Sequence, residues 1–149
     1  VLLLSGGDNL GETPIRDETE KYLLEYALEN KIPVIGVCRG MQLINNYLGG
    51  NVKLGDQDFI HFHRATEHLV LFGEQVVKLN SFHNNVISTD TLSKELAVLA
   101  TCKEDGSVEA VRGEGILAVM WHPERPMEDL QYSTSIIDNF IKEELWQEQ

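Results

Sequence analysis

Residues Pro33–Gly50 read PVIGVCRGMQLINNYLGG. PVIGVC is a short apolar run set off by Lys31-Ile32-Pro33, which has the form of a buried strand. RGMQLINNYL follows without a spacer. Its Met41, Ile44 and Leu48 fall at i, i+3 and i+7, and Gly49-Gly50 supplies a helix C-terminus. A strand running directly into a helix is the repeating unit of an α/β domain. At the junction stands G-x-C-x-G, a cysteine between Gly36 and Gly40. Its thiol has three candidate roles, as buried filler, metal ligand or nucleophile.

The flanking sequence repeats the unit. VLLL (Val1 to Leu4) is a second buried-strand run and ends in the loop Ser5-Gly6-Gly7-Asp8-Asn9. The spacing then predicts a helix over about Arg16 to Asn30, with Leu24, Ala27 and Leu28 on one face. Strand, helix, strand, helix implies a mainly parallel sheet. The second half has a different texture, with short strands expected at Leu69 to Phe72, Gln75 to Leu79, Ala97 to Thr101, Val108 to Val111 and Ile116 to Trp121. Asp105-Gly106 is a hairpin-turn signal. An amphipathic helix carrying Ile136, Ile137, Phe140 and Ile141 closes the chain and should pack on the sheet.

Composition limits the function classes. The 149 residues, 42% of them hydrophobic, suit one domain burying about 70% of its unfolded surface. A formal net charge of -12 opposes broad contact with nucleic acid or an anionic membrane. No apolar run is long enough to span a bilayer and VLLLSGG lacks a basic leader, so a cytoplasmic protein is expected. Two cysteines, Cys38 and Cys102, are too few for a disulfide framework. Cys102, beside Lys103 and ahead of a turn, reads as structural.

The company of Cys38 favours the nucleophile. A tight strand-to-helix turn with small neighbours lifts a reactive side chain to the rim of a sheet, and a helix N-terminus favours thiolate, which predicts a lowered pKa. Such chemistry needs a base and a group to orient it. His122 and Glu124, in WHPER directly after the strand at Ile116 to Trp121, meet that need, because Pro123 interrupts regular structure there. The Gly6-Gly7 loop could aim backbone N–H groups at a developing oxyanion.

Taken in order, the GG loop, VCRGMQLINNYLGG and WHPE resemble the class I glutamine amidotransferase-like hydrolases over nearly the whole chain. RDETEKYLL and LNSFHN are similar to the γ-glutamyl hydrolase branch. The resemblance implies a flavodoxin-like α/β fold, in which helices flank a central, mainly parallel sheet with a small antiparallel strand element. It implies Cys38 as nucleophile, His122 as general base and acid, and Glu124 as the group orienting His122. It further implies an oxyanion hole from the backbone N–H groups of Gly7 and Arg39, and γ-glutamyl recognition near Gly6, Gln42, Ser81, Phe82 and His83. The reaction would pass through a γ-glutamyl thioester. NSFHN, RDETE and MWHPER are most similar to enzymes hydrolysing γ-glutamyl-CDP-amidate in the making of capsular phosphoramidate, for which Arg39, Arg64 and Arg125 would meet the pyrophosphate. Domains of this family begin with further strands, so a segment preceding Val1 is expected, and His83-Asn84-Asn85 departs from the His and Gln many γ-glutamyl hydrolases carry.

Three functional classes follow. One is a stand-alone γ-glutamyl hydrolase acting on a small molecule, as a monomer or homodimer. A second is a glutaminase subunit feeding ammonia to a synthetase, and a third is a non-catalytic binding domain. NSFH and RDETE favour the first. No cofactor is assigned. His61, His63 and His68 suggest a metal site through H-x-H, but no Cys or carboxylate motif accompanies them, so they are expected to be loop or partner-facing residues and metal ligands are set at none. Arg16-Asp17 reads as a charge pair at a helix start.

Overall fold

The computed structural model describes residues 1–146. A seven-stranded sheet has the order β1-β2-β9-β8-β7-β4-β5, and β3 pairs with β6 in a separate two-stranded sheet. The first three members are β1 (Leu2–Leu4), β2 (Val34–Val37) and β9 (Ile116–Val119), and they pair in parallel. Every residue of β2 and β9 is buried, as expected for strands covered on both faces. The helices α1 (Pro14–Glu29) and α2 (Arg39–Tyr47) pack on this parallel part, burying Leu24, Ala27, Met41 and Ile44.

From β9 the sheet continues antiparallel through β8 (Val108–Gly113), β7 (Ala97–Cys102), β4 (Arg64–Phe72) and β5 (Gln75–Phe82). The hairpin between β7 and β8 turns at Gly106, φ 73°, where the Asp-Gly signal placed it. The final helix α4 (Leu130–Trp146) buries Phe140 and rests Ile136, Ile137 and Ile141 on the core. Trp121, fully buried, donates from Nε1 to Ser133 Oγ of that helix at 2.8 Å.

Three elements escaped the hydrophobic pattern: β3 (Lys53–Leu54), α3 (Gln57–His63) and β6 (Asn85–Val86). The helix α3 starts on an Asp56 cap, whose carboxylate accepts from Phe59 N at 2.8 Å. β4 begins at Arg64, well before the apolar stretch that marks its far end, with a bulge at Ala65, φ 53°. These elements convert the expected loop around His61–His68 into helix and strand, with His63 and His68 buried and His61, Arg64, Ala65 and Glu67 exposed.

Candidate active site

Cys38 links β2 to α2 with φ 50° and ψ −103°, a conformation rarely adopted outside glycine. The surroundings fix it. Cys38 N donates to Val119 O of β9 at 2.8 Å, and Cys38 O accepts from Gln42 N at 3.1 Å. The two glycines are required by close approach. A Cβ on Gly40 would sit 2.1 Å from the Leu4 carbonyl oxygen, and one on Gly36 would sit 2.6 Å from Ile44 Cδ1. This is the geometry of a nucleophile elbow.

The expected lowering of the thiol pKa does not occur. Burial of Cys38 pushes it up to about 11, and the opposing hydrogen bond from the Arg39 backbone N–H is the weaker effect. Desolvation of a thiolate outweighs one favourable helix-terminal dipole. At pH 7 only about one thiol in 10,000 is then ionised. Alkylation of Cys38 by iodoacetamide, followed by mass spectrometry of its peptide, should therefore be slow at pH 7 and rise about tenfold per pH unit toward pH 11. A rate that has already levelled off at pH 8 would contradict the buried-thiol reading.

Val37 pairs with Val119, so the ends of β2 and β9 lie side by side and His122 emerges next to the Cys38 turn. Its Nδ1 lies 2.6 Å from Glu124 Oε1. A carboxylate only accepts, so Nδ1 carries a proton, and the neutral form of the ring has its lone pair at Nε2. Burial is the largest single effect on Glu124 and works to raise its pKa, but the hydrogen bonds from His122 and from its own backbone N–H, with the nearby positive charge, together outweigh it and hold the carboxyl below its ordinary value. Asn80 of β5 holds the His122 backbone at both ends, donating from Nδ2 to His122 O at 2.9 Å and accepting at Oδ1 from His122 N at 2.8 Å. The imidazole packs over the GG loop, where a Cβ on Gly6 would lie 2.7 Å from its Cε1. Phe82 meets it edge-on at 5.7 Å, and the Arg125 guanidinium lies 4.4 Å above the Phe82 ring. Among the described residues no hydrogen bond joins Cys38 and His122 directly.

A cleft of about 330 Å³ opens beside Cys38, lined at its base by Gly7, Arg39, Gln42, Phe82 and His83 and at its rim by Asp8 and Glu12. Gln42 is buried and accepts at Oε1 from Asn85 Nδ2 at 3.1 Å. Gly7 lies against the Arg16 guanidinium, which also donates to Gly6 O at 3.0 Å, so α1 shapes the loop. A larger cleft of about 520 Å³ lies at the opposite end of the strands, against Ile32 and Ile116, and carries no nucleophile.

Four expectations are corrected. Ser81 is fully buried, with Oγ 3.0 Å from His63 Nδ1, because alternation along β5 turns Asn80 toward His122 and Phe82 toward the cleft, and Ser81 to the other face. The Arg39 side chain is buried and ion-paired with Asp17 and Glu20, which withdraws it from any pyrophosphate. Arg16 and Asp17 do not pair with each other: Arg16 binds Glu20 at 2.9 Å, and Asp17 serves Arg39 and the Gly11 N–H. Finally, His63 and His68 are neither loop nor partner-facing. They are buried with Ser81, His83 and Glu109, while His61 is exposed. His68 Nε2 lies 3.0 Å from Glu109 Oε1, and His63 Nε2 lies 2.7 Å from Asp105 Oδ2.

Asn80 and Arg16 are the site-shaping residues that sequence reasoning missed. Asn80 lies within the NSFH stretch that the resemblance rested on, but was given no role of its own.

The family model of glutamine amidotransferase class I matches residues 1–143. The chain is 34% identical over 133 residues to the gamma-glutamyl-CDP-amidate hydrolase of Campylobacter jejuni, covering 84% of this chain and 62% of that protein. It is also 34% identical to the glutamine amidotransferase-like protein YvdE of Lactococcus lactis, covering 88% of this chain and 63% of that one. It thus spans about three fifths of these relatives. Among solved structures, a glutamine amidotransferase from Thermotoga maritima superposes with a TM-score of 0.68 at 17% identity, covering 98% of this chain and 64% of that one. The chain belongs to the class I glutamine amidotransferase family.

Proposed function

We propose that the protein hydrolyses a γ-glutamyl amide, bonded through C–N or P–N, by way of a glutamyl thioester on Cys38. The observation that carries this reading is the strained Cys38 elbow at the end of β2, together with, just past the paired end of β9, an imidazole hydrogen-bonded through Nδ1 to Glu124. His122 Nε2 takes the thiol proton as Sγ attacks the γ-carbonyl carbon. Because the thiol pKa is near 11, proton transfer accompanies attack and no standing thiolate precedes it. The backbone N–H groups of Gly7 and Arg39 receive the oxyanion. The bond between the γ-carbonyl carbon and the nitrogen breaks, and the nitrogen takes its proton from the His122 imidazolium, departing as an amine where it is bonded to carbon and as a phosphoramidate where it is bonded to phosphorus. Water, deprotonated by the same nitrogen, then cleaves the thioester to free glutamate and thiol.

Recognition is assigned to the cleft. Gln42, Phe82 and His83 line it, and the acidic rim of Asp8 and Glu12 suits the glutamyl ammonium group. The leading substrate is a γ-glutamyl nucleoside diphosphate amidate, in keeping with the 34% identity to the Campylobacter enzyme. Since the Arg39 side chain is committed to Asp17 and Glu20, Arg125, stacked on Phe82, is the residue proposed to meet the diphosphate. Glutamate release from glutamine, γ-glutamyl amines and γ-glutamyl-CDP-amidate tests the reading, with Cys38→Ala as blank. Fast release from the amidate is the expected result. Slow release from glutamine alone, accelerated by an added synthetase, would assign the chain as an ammonia-donating subunit. No release from any of the conjugates would favour a binding role.

A further inference from the structure

We propose that His63, Cys102 and Glu109, with His83 beside them, form a binding site for a zinc-class dication, buried behind the cleft in the antiparallel half of the sheet. The ligand atoms of His63, Cys102 and Glu109 all lie within 4.8 Å of one another. They come from the end of α3, the end of β7 and the start of β8. Their separation along the chain is why no spacing motif announced them.

Proton bookkeeping points to a cation. Asp105 only accepts, so His63 Nε2 donates to it. Burial works to lower the His63 pKa, but the contacts with Asp105 and Cys102 together raise it, so a second proton on Nδ1 competes with a cation there. His83 Nδ1 donates to Asn85 O at 2.8 Å. His63 Nδ1 and His83 Nε2 lie 3.7 and 3.8 Å from Glu109 Oε1. Two imidazole nitrogens and a carboxylate therefore converge in the interior, where Glu109 is fully buried and both its Oε2 and His83 Nε2 lack any hydrogen-bond partner among the described residues. A tetrahedral ion with bonds of about 2.0–2.3 Å sets its ligands about 3.3–3.8 Å apart. The two imidazole distances lie within a few tenths of an ångström of the roughly 3.3–3.5 Å expected for nitrogen and oxygen ligands, and the thiol of Cys102 needs a shift on the order of an ångström.

The surroundings suit the assignment. One thiolate and one carboxylate balance a dication, leaving no net buried charge. Each imidazole has its far nitrogen on a carboxylate or a carbonyl, the arrangement that orients histidines on a metal. Sulfur and imidazole donors select zinc over magnesium or calcium. Ser81 Oγ, 3.0 Å from His63 Nδ1, would rotate aside. The ion would cross-link segments the chain brings together only on folding, and its charge would offset the Glu109 carboxylate that opposes ionisation of Cys38.

The rival compensation is a proton on one of the imidazoles, and cobalt separates the two. The full chain, stripped with a chelator, is titrated with Co2+ while its absorption is recorded. The expected result is one equivalent bound, with tetrahedral d–d bands and a thiolate-to-cobalt charge-transfer band that Cys102→Ser removes. Asp105→Asn, at a position whose side chain is 34% exposed, should weaken Co2+ and Zn2+ binding by about 10- to 100-fold without unfolding the chain. His61→Gln should leave binding unchanged. Absence of stoichiometric binding at micromolar Co2+ would overturn the site, as would bands that lack the charge transfer and persist in Asp105→Asn.

Discussion

Cys38→Ser is expected to lower turnover by about 10^4-fold or more while the protein melts within a few degrees of its parent. The exchange is nearly isosteric, and the elbow is held by backbone contacts to Val119 O and Gln42 N that the substitution leaves alone. A serine hydroxyl is a poorer nucleophile than a thiol and is harder for His122 to deprotonate. Glutamate release against enzyme concentration measures the loss, and thermal unfolding shows that the fold survives. Glu124→Gln should cost about two orders of magnitude less, because Glu124 orients the base and does not react. Full activity in Cys38→Ser would move the nucleophile elsewhere and end the scheme.

The largest effect on stability is expected from Gly40→Ala. Its methyl group would lie 2.1 Å from the carbonyl oxygen of Leu4 and 2.8 Å from the carbonyl carbon, so backbone meets backbone and no flexible side chain can yield. The variant should lose about 3 kcal/mol or more in urea unfolding, and the elbow should open with it. Gly49→Ala is the control. Gly49 has φ 95° but nothing within 4 Å of a built Cβ, so the cost there is conformational alone, about 1–2 kcal/mol. Equal losses at the two positions would show that β1 does not press on α2 as described.

What could be read in advance was local. The strand, turn and helix around Cys38 are encoded by contiguous residues, and the burial of Met41, Ile44, Leu24 and Ala27 follows from their spacing. The elements that stayed hidden are short or polar. β3 and β6 have two residues each, and α3 is marked by an aspartate cap more than by an apolar stripe. Ser81 was assigned to the cleft by its neighbours, whereas alternation on a strand sends adjacent side chains to opposite faces. The destination of a long side chain such as Arg39 depends on Asp17 and Glu20 in another helix, which no local pattern records. The sign of the Cys38 shift turned on burial, a property of the whole fold.

The grip of Asn80 on His122 has one more consequence. A carboxamide presents a donor and an acceptor at a fixed separation and carries no ionisable proton, so the clamp imitates one rung of a backbone ladder. Aspartate would lose the donor and leucine would lose both. Because nothing in the clamp titrates, the backbone of the histidine keeps its place from acid to alkaline solution, and only the bond of its ring to Glu124 depends on protonation. A bell-shaped activity profile would then report the reacting groups and that one carboxylate, undistorted by drift of the strand ends that carry them.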